Sequence, residues 1–149
     1  MIISSPAFKN NKKIPSKYTC DGENVSPPLK ISDVPDKTKS LVLILDDPDA
    51  PMGTWVHWVI WNINPVLTEI KENSTFKEAK QGRTSFGSFS YKGPCPPSGT
   101  HRYFFKLYAL DKILDLSKDT GKAILEQAMQ GHVLAQTELV GLYSRESVD

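Results

Sequence analysis

Two histidines lie where a proline-containing loop leads into a strongly apolar segment. His57 follows the loop 48–54, and His101 follows the loop 93–100. Asp47 ends a separate apolar run just before the first of these loops. Two imidazoles and one carboxylate supply hydrogen-bond donors, acceptors and proton-transfer groups. Their convergence would form a small polar pocket at the mouth of a β-rich core.

Asp47 is the member of this set that turn formation explains least well. Its neighbours on one strand face are apolar, so the carboxylate is partly desolvated unless it finds a donor. A histidine is such a donor, and Asp47 lies only ten residues upstream of His57. For Asp49 a structural role is the simpler alternative to a role in the pocket, because aspartate often bonds backbone N–H groups within turns. For His57 the alternative is a core histidine with satisfied ring nitrogens.

The loop Gly93–Gly99 offers backbone donors rather than side-chain donors. Its glycines permit close approach of the backbone, so that free N–H groups can point at a ligand. Together with histidine donors, such N–H groups suit an anion such as phosphate. Asp47 is compatible with an anion if it orients a histidine or shares a proton with the bound oxyanion.

Catalytic alternatives depend on the same residues. Asp47, His57 and His101 could form a two-histidine, one-carboxylate metal site, so a metal-dependent or acid–base hydrolase stays open as the alternative function. Cys95 and His101 could be a nucleophile and its base, but Cys95 lies between two prolines with no activating group nearby. The chain has no Gly-x-Ser-x-Gly motif and no nucleotide-binding glycine loop. We therefore expect a protein that is not an enzyme and needs no cofactor.

Length and charge narrow the class of protein. A chain of 149 residues predicts one domain over 1–149, and a net charge of +1 gives no electrostatic reason to expect nucleic acid as a partner. No apolar run is long enough to cross a membrane, and the first residues lack a signal-peptide pattern, which predicts a cytoplasmic protein. Cys20 and Cys95 are expected to be free thiols, since the cytosol disfavours disulfides.

The elements that position the candidate residues are predicted to be short strands. Eleven prolines and nine glycines divide the chain into short segments, which is typical of β-rich folds. Apolar alternation predicts strands over 39–47, 55–63, 101–110 and 133–143. The first is apolar on both faces, which indicates a central strand covered on both sides. Strict alternation along the second would place these side chains on one face: Trp55, His57, Val59, Trp61 and Ile63.

One helix is predicted before Gly131. Ser117, Asp119 or Thr120 can cap its start, and a stripe of apolar residues at helical spacing indicates packing against the core. His132 follows the helix directly, where a structural role is expected. The members of the stripe are Ile124, Leu125, Ala128 and Met129.

Four segments resemble the phosphatidylethanolamine-binding protein family, also called the Raf kinase inhibitor-like family, and in particular its short prokaryotic branch. The N-terminal motif is Tyr-Thr-Cys-Asp-Gly-Glu-Asn-Val-Ser-Pro-Pro-Leu over 18–29. The two family signatures are Asp-Pro-Asp-Ala-Pro followed by His-Trp over 47–58, and Gly-Pro-Cys-Pro-Pro followed by His-Arg-Tyr over 93–103. The C-terminal pattern covers 128–141.

The resemblance implies a mainly β fold, in which a central antiparallel sheet packs against a second, smaller sheet with one or two peripheral helices. It also implies a pocket for phosphate-like anions such as a phospholipid head group. Carried over by motif position, the pocket consists of Asp47, Pro51, Trp55, His57, Gly93, Pro94, Cys95, Pro96, His101 and Tyr103.

The resemblance further implies a role exerted through partners. Family members are modulators of kinases and inhibitors of serine proteases, and prokaryotic relatives suggest a homodimer. Cys95 stands where eukaryotic members have glycine. A backbone N–H can still donate to a ligand at that position, while the sulfur narrows the available space.

Overall fold

The computed structural model describes residues 1–145, in which short strands dominate. The strands are β1 (Ile2–Ser4), β2 (Lys12–Lys13), β3 (Leu29–Ser32), β4 (Ser40–Asp47), β5 (Trp55–Ile63), β6 (Glu69–Ile70), β7 (Lys80–Gln81), β8 (His101–Leu110) and β9 (Val133–Tyr143). The helices are the α-helix α1 (Lys122–Met129) and a 3-10 turn at Ser16–Tyr18. None of the helices in this part of the chain has the length and apolar character needed to span a membrane.

The strands form two sheets. The large sheet has the order β2-β9-β8-β4-β5-β7, and the small sheet has the order β1-β3-β6. Neighbouring strands are antiparallel, except that β2 runs parallel to β9. The predicted mainly β architecture, with a central antiparallel sheet and a smaller second sheet, is confirmed.

The central strand β4 has a core on each of its faces. Leu41, Leu43 and Leu45 pack with the small sheet, while Val42 and Ile44 pack with α1. All five of these side chains are fully buried. At about 25 cal/mol for each Å² of buried apolar surface, this central strand is a major source of the folding free energy. The two-sided burial predicted for this strand is therefore confirmed.

The strand β5 does not alternate regularly, and the single face predicted for its odd residues is wrong. Two register shifts interrupt its pairing with β4. Val59 and Trp61 therefore join the core on the α1 side, whereas Trp58 and Ile63 join the other core. A β-bulge inserts an extra residue into one strand and reverses the alternation beyond it.

One of these bulges lies at His57. Val56 is opposite Asp46 and Trp58 is opposite Leu45, so His57 is the extra residue between them. Bulges re-aim a side chain locally. In this chain the bulge lets His57 stay on the same side of the sheet as Asp47.

The helix α1 is shorter than its predicted caps imply. It begins at Lys122 after Gly121, and no side chain caps its N-terminus. Leu125 and Met129 are buried as predicted, but Ile124 is 52% exposed. His132 has the expected structural role, because its Nδ1 lies 2.8 Å from an Asp111 carboxylate oxygen.

The expectation of two free thiols is wrong, because Cys20 and Cys95 form a disulfide with their Cα atoms 5.4 Å apart. The cysteines are separated by 75 residues, so their proximity depends on the tertiary fold. Two hydrogen bonds align the same segments: Cys20 N–H donates to the Pro94 carbonyl (3.1 Å), and Gly93 N–H donates to Asn24 Oδ1 (2.8 Å). In the chain-entropy account, a cross-link over such a loop stabilises the fold by roughly 4 kcal/mol.

Close packing against the 18–24 segment requires glycine at position 93. A Cβ there would lie 2.1 Å from the Tyr18 carbonyl oxygen and 2.6 Å from Asn24 Oδ1. We predict that Gly93→Ala lowers the free energy of unfolding by about 1–3 kcal/mol, the usual cost of overpacking. Urea denaturation of the oxidised protein measures this.

Gly121→Ala is the matched control, since a Cβ at position 121 meets only the Arg83 carbonyl oxygen, at 3.6 Å. Gly121→Ala should lower the free energy of unfolding clearly less than Gly93→Ala does. Equal losses for the two variants would contradict the assigned role of Gly93.

Candidate functional site

The pairing of three strands brings the candidate polar residues to one end of the large sheet. Asp47 ends β4 and lies opposite Trp55, the first residue of β5. On the other side of β4, Asp46 pairs with Phe104 near the start of β8. Because antiparallel strands run in opposite directions, the end of β4 meets the beginnings of both neighbours. His101, the first residue of β8, therefore lies beside Asp47.

A cavity of about 200 Å³ opens at this end of the sheet. Most of the predicted site residues line it, and the structure adds four residues that sequence reasoning missed. The predicted residues in the lining are Asp47, Pro51, Trp55, His57, Cys95, Pro96, His101 and Tyr103. The additional residues are Ala50, Met52, Phe86 and Pro97.

Gly93 and Pro94 lie outside the cavity lining. Both are buried against the segment 18–24, to which Gly93 donates and from which Pro94 accepts a hydrogen bond. Phe86 belongs to the irregular segment 82–91, which sequence alternation did not resolve. Its neighbour Ser85 exchanges two hydrogen bonds with Val56 of β5, and this attachment brings Phe86 to the cavity mouth.

Asp47 and His101 form a buried pair. Asp47 Oδ2 lies 2.6 Å from His101 Nδ1, and their side chains are only 4% and 8% exposed. The second carboxylate oxygen accepts the backbone N–H of Asp49 at 2.8 Å. Both oxygens of Asp47 therefore have donors, and Nε2 of His101 is the ring nitrogen left for a ligand. The sequence analysis had suggested His57 as the partner of this carboxylate, which is wrong.

His57 is oriented by the backbone of another segment. Its Nδ1 lies 2.6 Å from the Lys92 carbonyl oxygen. Since a carbonyl can only accept, Nδ1 carries the proton and Nε2 is left as an acceptor in the neutral ring. Burial lowers the pKa of His57 below its ordinary value of 6.5, although the Lys92 carbonyl opposes this in part. The ring is therefore mainly neutral at pH 7.

Tyr103 lies between the two imidazoles. Its ring centroid is 5.4 Å from that of His57 and 6.4 Å from that of His101. Its hydroxyl is buried and has no hydrogen bond of good geometry among the described residues, although the Asp47 carboxylate lies close enough to act on it. Burial raises the pKa of Tyr103, and the negative charge of Asp47 raises it further. The hydroxyl thus remains a proton donor throughout the physiological range.

The backbone N–H of Cys95 acts on the same hydroxyl in the opposite direction, lowering the pKa of Tyr103. Cys95 and Tyr103 both line the cavity, so this N–H lies near the phenolic oxygen. Buried polar groups without partners are rare in proteins. The hydroxyl and the N–H group can donate to the oxygens of a small ligand. The two Nε2 atoms can accept a ligand proton while the rings are neutral and can donate once the rings are protonated.

An ion pair on the rim fixes the loop after β4. Asp49 Oδ2 accepts the backbone N–H and the Nε–H of Arg102, and Asp49 Oδ1 accepts from Arg102 Nη2, all at 2.9 Å. The Arg102 guanidinium lowers the pKa of Asp49 to about 2. Exposed pairs of this kind contribute little to stability. Its role is to hold the start of the 48–54 loop against β8.

The residues considered for a metal site are not arranged as one. Between residues 1 and 145, no group of three histidine, cysteine or acidic side chains is placed to hold a metal ion. Asp47 and His101 bind each other, and Nδ1 of His57 is bound to a carbonyl.

Comparison with known proteins places the chain in one family. Residues 4–144 match the sequence profile described as phosphatidylethanolamine-binding protein. A UPF0098 protein of Methanothermobacter thermautotrophicus is 51% identical over 150 residues, covering 97% of this chain and 99% of the relative. A UPF0098 protein of Aquifex aeolicus is 45% identical and matches 98% of this chain.

Solved structures agree with the sequence comparison. The crystal structure of a phosphatidylethanolamine-binding protein homologue from Chlamydia trachomatis superposes with a TM-score of 0.94 at 43% identity, covering 97% of each chain. The structure of E. coli YbcL, described as a new member of the mammalian family, superposes with a TM-score of 0.90 at 29% identity, covering 97% of this chain and 98% of that one. The chain belongs to the phosphatidylethanolamine-binding protein family.

Proposed function

We propose that this protein binds a phosphate-like anion in the cavity at the end of β4 and acts by binding rather than by catalysis. The observation that carries the proposal is the buried Tyr103 hydroxyl beside His57 and His101, a donor that no described residue engages in a hydrogen bond of good geometry. A tetrahedral oxyanion presents several acceptor atoms to such a donor. The Cys95 N–H, which acts on the same hydroxyl, would supply a second donor.

The carboxylate of Asp47 is compatible with an anionic ligand because its own oxygens are occupied. One bonds His101 and the other bonds the backbone of Asp49. In this arrangement Asp47 fixes the ring of His101 and presents its Nε2 to the ligand, which is how carboxylates orient histidines elsewhere. Positive charge for the anion comes from protonation of His57.

The cavity mouth suits the organic part of a phosphate ester. Trp55 and Phe86 pack edge to face with centroids 5.6 Å apart, and both are partly exposed. Met52 is 94% exposed on the same rim. A phospholipid head group or a phosphorylated partner would place its phosphate on Tyr103 and its apolar part on this rim. The modulation of a kinase or serine protease implied by the resemblance would use the same exposed surface.

Replacing the unpaired hydroxyl tests the proposal directly. We predict that Tyr103→Phe lowers the affinity for inorganic phosphate by a factor of about 10 to 150, because one hydrogen bond to a charged group is worth about 1.5–3 kcal/mol. Isothermal titration calorimetry at constant pH measures the change.

The control is Tyr108→Phe, which removes a half-buried hydroxyl on the other face of the same strand and outside the cavity. It should leave phosphate affinity unchanged. Wild-type affinity in Tyr103→Phe would rule out the binding site as described.

The role of His57 predicts a pH dependence. Burial lowers its pKa in the free protein, and a bound anion would raise that pKa by stabilising the imidazolium. Binding therefore takes up a proton, and affinity rises as the pH falls through the range between the two pKa values. Sulfate is the suitable probe, since it does not titrate between about pH 5 and 8, the range in which histidine does.

His57→Gln should remove this rise while retaining weaker binding through the remaining donors. Calorimetry at several pH values compares the two proteins. An unchanged pH slope in His57→Gln would show that another group takes up the proton.

Metal removal separates this proposal from the hydrolase alternative. Because the three candidate ligands are engaged with each other and with the backbone, we predict that exhaustive chelation leaves phosphate affinity unchanged. Elemental analysis of the purified protein accompanies the titration. Loss of binding on chelation, with recovery on adding a divalent cation, would instead favour a metal-dependent site.

A further inference from the structure

We infer that the Cys20–Cys95 disulfide is a thiol-exchange site whose redox state sets the affinity of the cavity for its anion. The inference rests on the proposed function, since it concerns the same cavity. It adds a chemical modification that the family resemblance does not contain. Three observations support it: the exposure of Cys95, the attachment of the 93–100 loop to the 16–24 segment, and the position of the Cys95 backbone N–H.

The two cysteines differ in their access to solvent. Cys95 is exposed and lines the cavity, whereas Cys20 is half-buried and is not among the lining residues. A thiolate approaching from solvent therefore reaches the Cys95 sulfur first. Small thiols such as glutathione are the chemical class that fits this site, because disulfide exchange proceeds by attack of a thiolate on an accessible sulfur.

The exchange has two balanced steps. A thiolate RS⁻ attacks the Cys95 sulfur, the bond to the Cys20 sulfur breaks, and Cys20 leaves as a thiolate that takes a proton from water. The product is a mixed disulfide of Cys95 with RS. A second RS⁻ attacks the sulfur of that adduct, releasing RSSR and the Cys95 thiolate, which is protonated in turn. The protein gains two electrons and the small thiols lose two.

The attachment of the 93–100 loop shows what the bond holds in place. Gly93 and Pro94 are tied to the 16–24 segment by hydrogen bonds, through Asn24 and Cys20. Beyond Pro94, no hydrogen bond between described residues continues this attachment. The disulfide is the link that holds Cys95 against the 16–24 segment.

Position 95 matters because its backbone supplies a ligand donor. Cys95 and Tyr103 line the same cavity, and the Cys95 N–H acts on the Tyr103 hydroxyl. Without the disulfide, this residue must be ordered each time an anion binds, and ordering costs affinity. The mixed disulfide has a further effect on binding, because the group RS attached to Cys95 would occupy space at the cavity wall.

The expected result is that reduction weakens phosphate binding about tenfold, the order of effect that ordering one loop segment has on affinity. Calorimetry compares the oxidised wild-type protein with the protein reduced by excess dithiothreitol, with complete reduction verified by thiol counting. Cys20→Ser lacks the link but keeps Cys95 in the cavity wall. It should bind like the reduced protein and be insensitive to dithiothreitol.

The coupling is reciprocal, so a second measurement needs no variant. If the oxidised form binds phosphate tenfold more tightly, saturating phosphate stabilises the disulfide by the same factor. In a glutathione redox titration followed by mass spectrometry, this tenfold factor equals a shift of about 30 mV in the midpoint. The same spectra report the mixed disulfide, which peptide mapping should locate at Cys95.

The outcomes separate the two proposals. If the oxidised wild-type protein binds no phosphate, the proposed function fails and this inference fails with it. If the oxidised protein binds phosphate but complete reduction leaves the affinity unchanged and phosphate leaves the redox midpoint unchanged, the inference alone is overturned. Should Cys20→Ser not fold, the redox titration of the wild-type protein decides the question by itself.

Discussion

The complete burial of β4 is the constraint on which both the fold and the site depend. Its apolar side chains supply two cores at once, so its pairing with β5 and β8 is fixed over nearly its whole length. A one-residue slip would move every side chain to the opposite face. The ends of the three strands therefore cannot shift relative to each other. The position of β4 therefore determines the geometry of the cavity, although Asp47 is the one β4 residue in the cavity lining.

Asp46 and Asp47, at the end of β4, are both buried, and each carboxylate has a different partner. Asp46 is fully buried on the α1 side, where one of its oxygens lies 2.8 Å from Lys122 and 3.0 Å from Lys106. Asp47 faces the other side and pairs with His101. A buried carboxylate needs a partner wherever it lies. Asp46 links α1 to the large sheet through Lys122. Asp47 orients the ring of His101 in the candidate site.

Much of this arrangement follows from local sequence patterns. The bounds of the four long strands were predicted almost to the residue, because apolar alternation is strong where one face or both faces are buried. The five short strands, of two to four residues each, were not predicted. The predicted strand ends were sufficient to indicate that three polar residues lie close together, namely Asp47, His57 and His101. The partner of His57 could not be predicted, since it depends on a bulge and on a carbonyl 35 residues away. Local patterns carry no information about such contacts. The disulfide between Cys20 and Cys95 was missed because a reducing compartment was assumed, and because its two cysteines lie 75 residues apart in the sequence.

The chemistry of the cavity differs from that of a phosphate site built on permanent charge. No lysine or arginine is found among the described residues that line it. Burial among apolar and aromatic side chains lowers the pKa of His57, so this imidazole is mainly neutral at pH 7 in the free protein. An isolated buried charge would be costly there. Under the proposed function, the charge on His57 would form as the ligand binds, which would favour anions whose binding carries a proton with them. The apolar lining that lowers the pKa of His57 would thus also couple its protonation to binding.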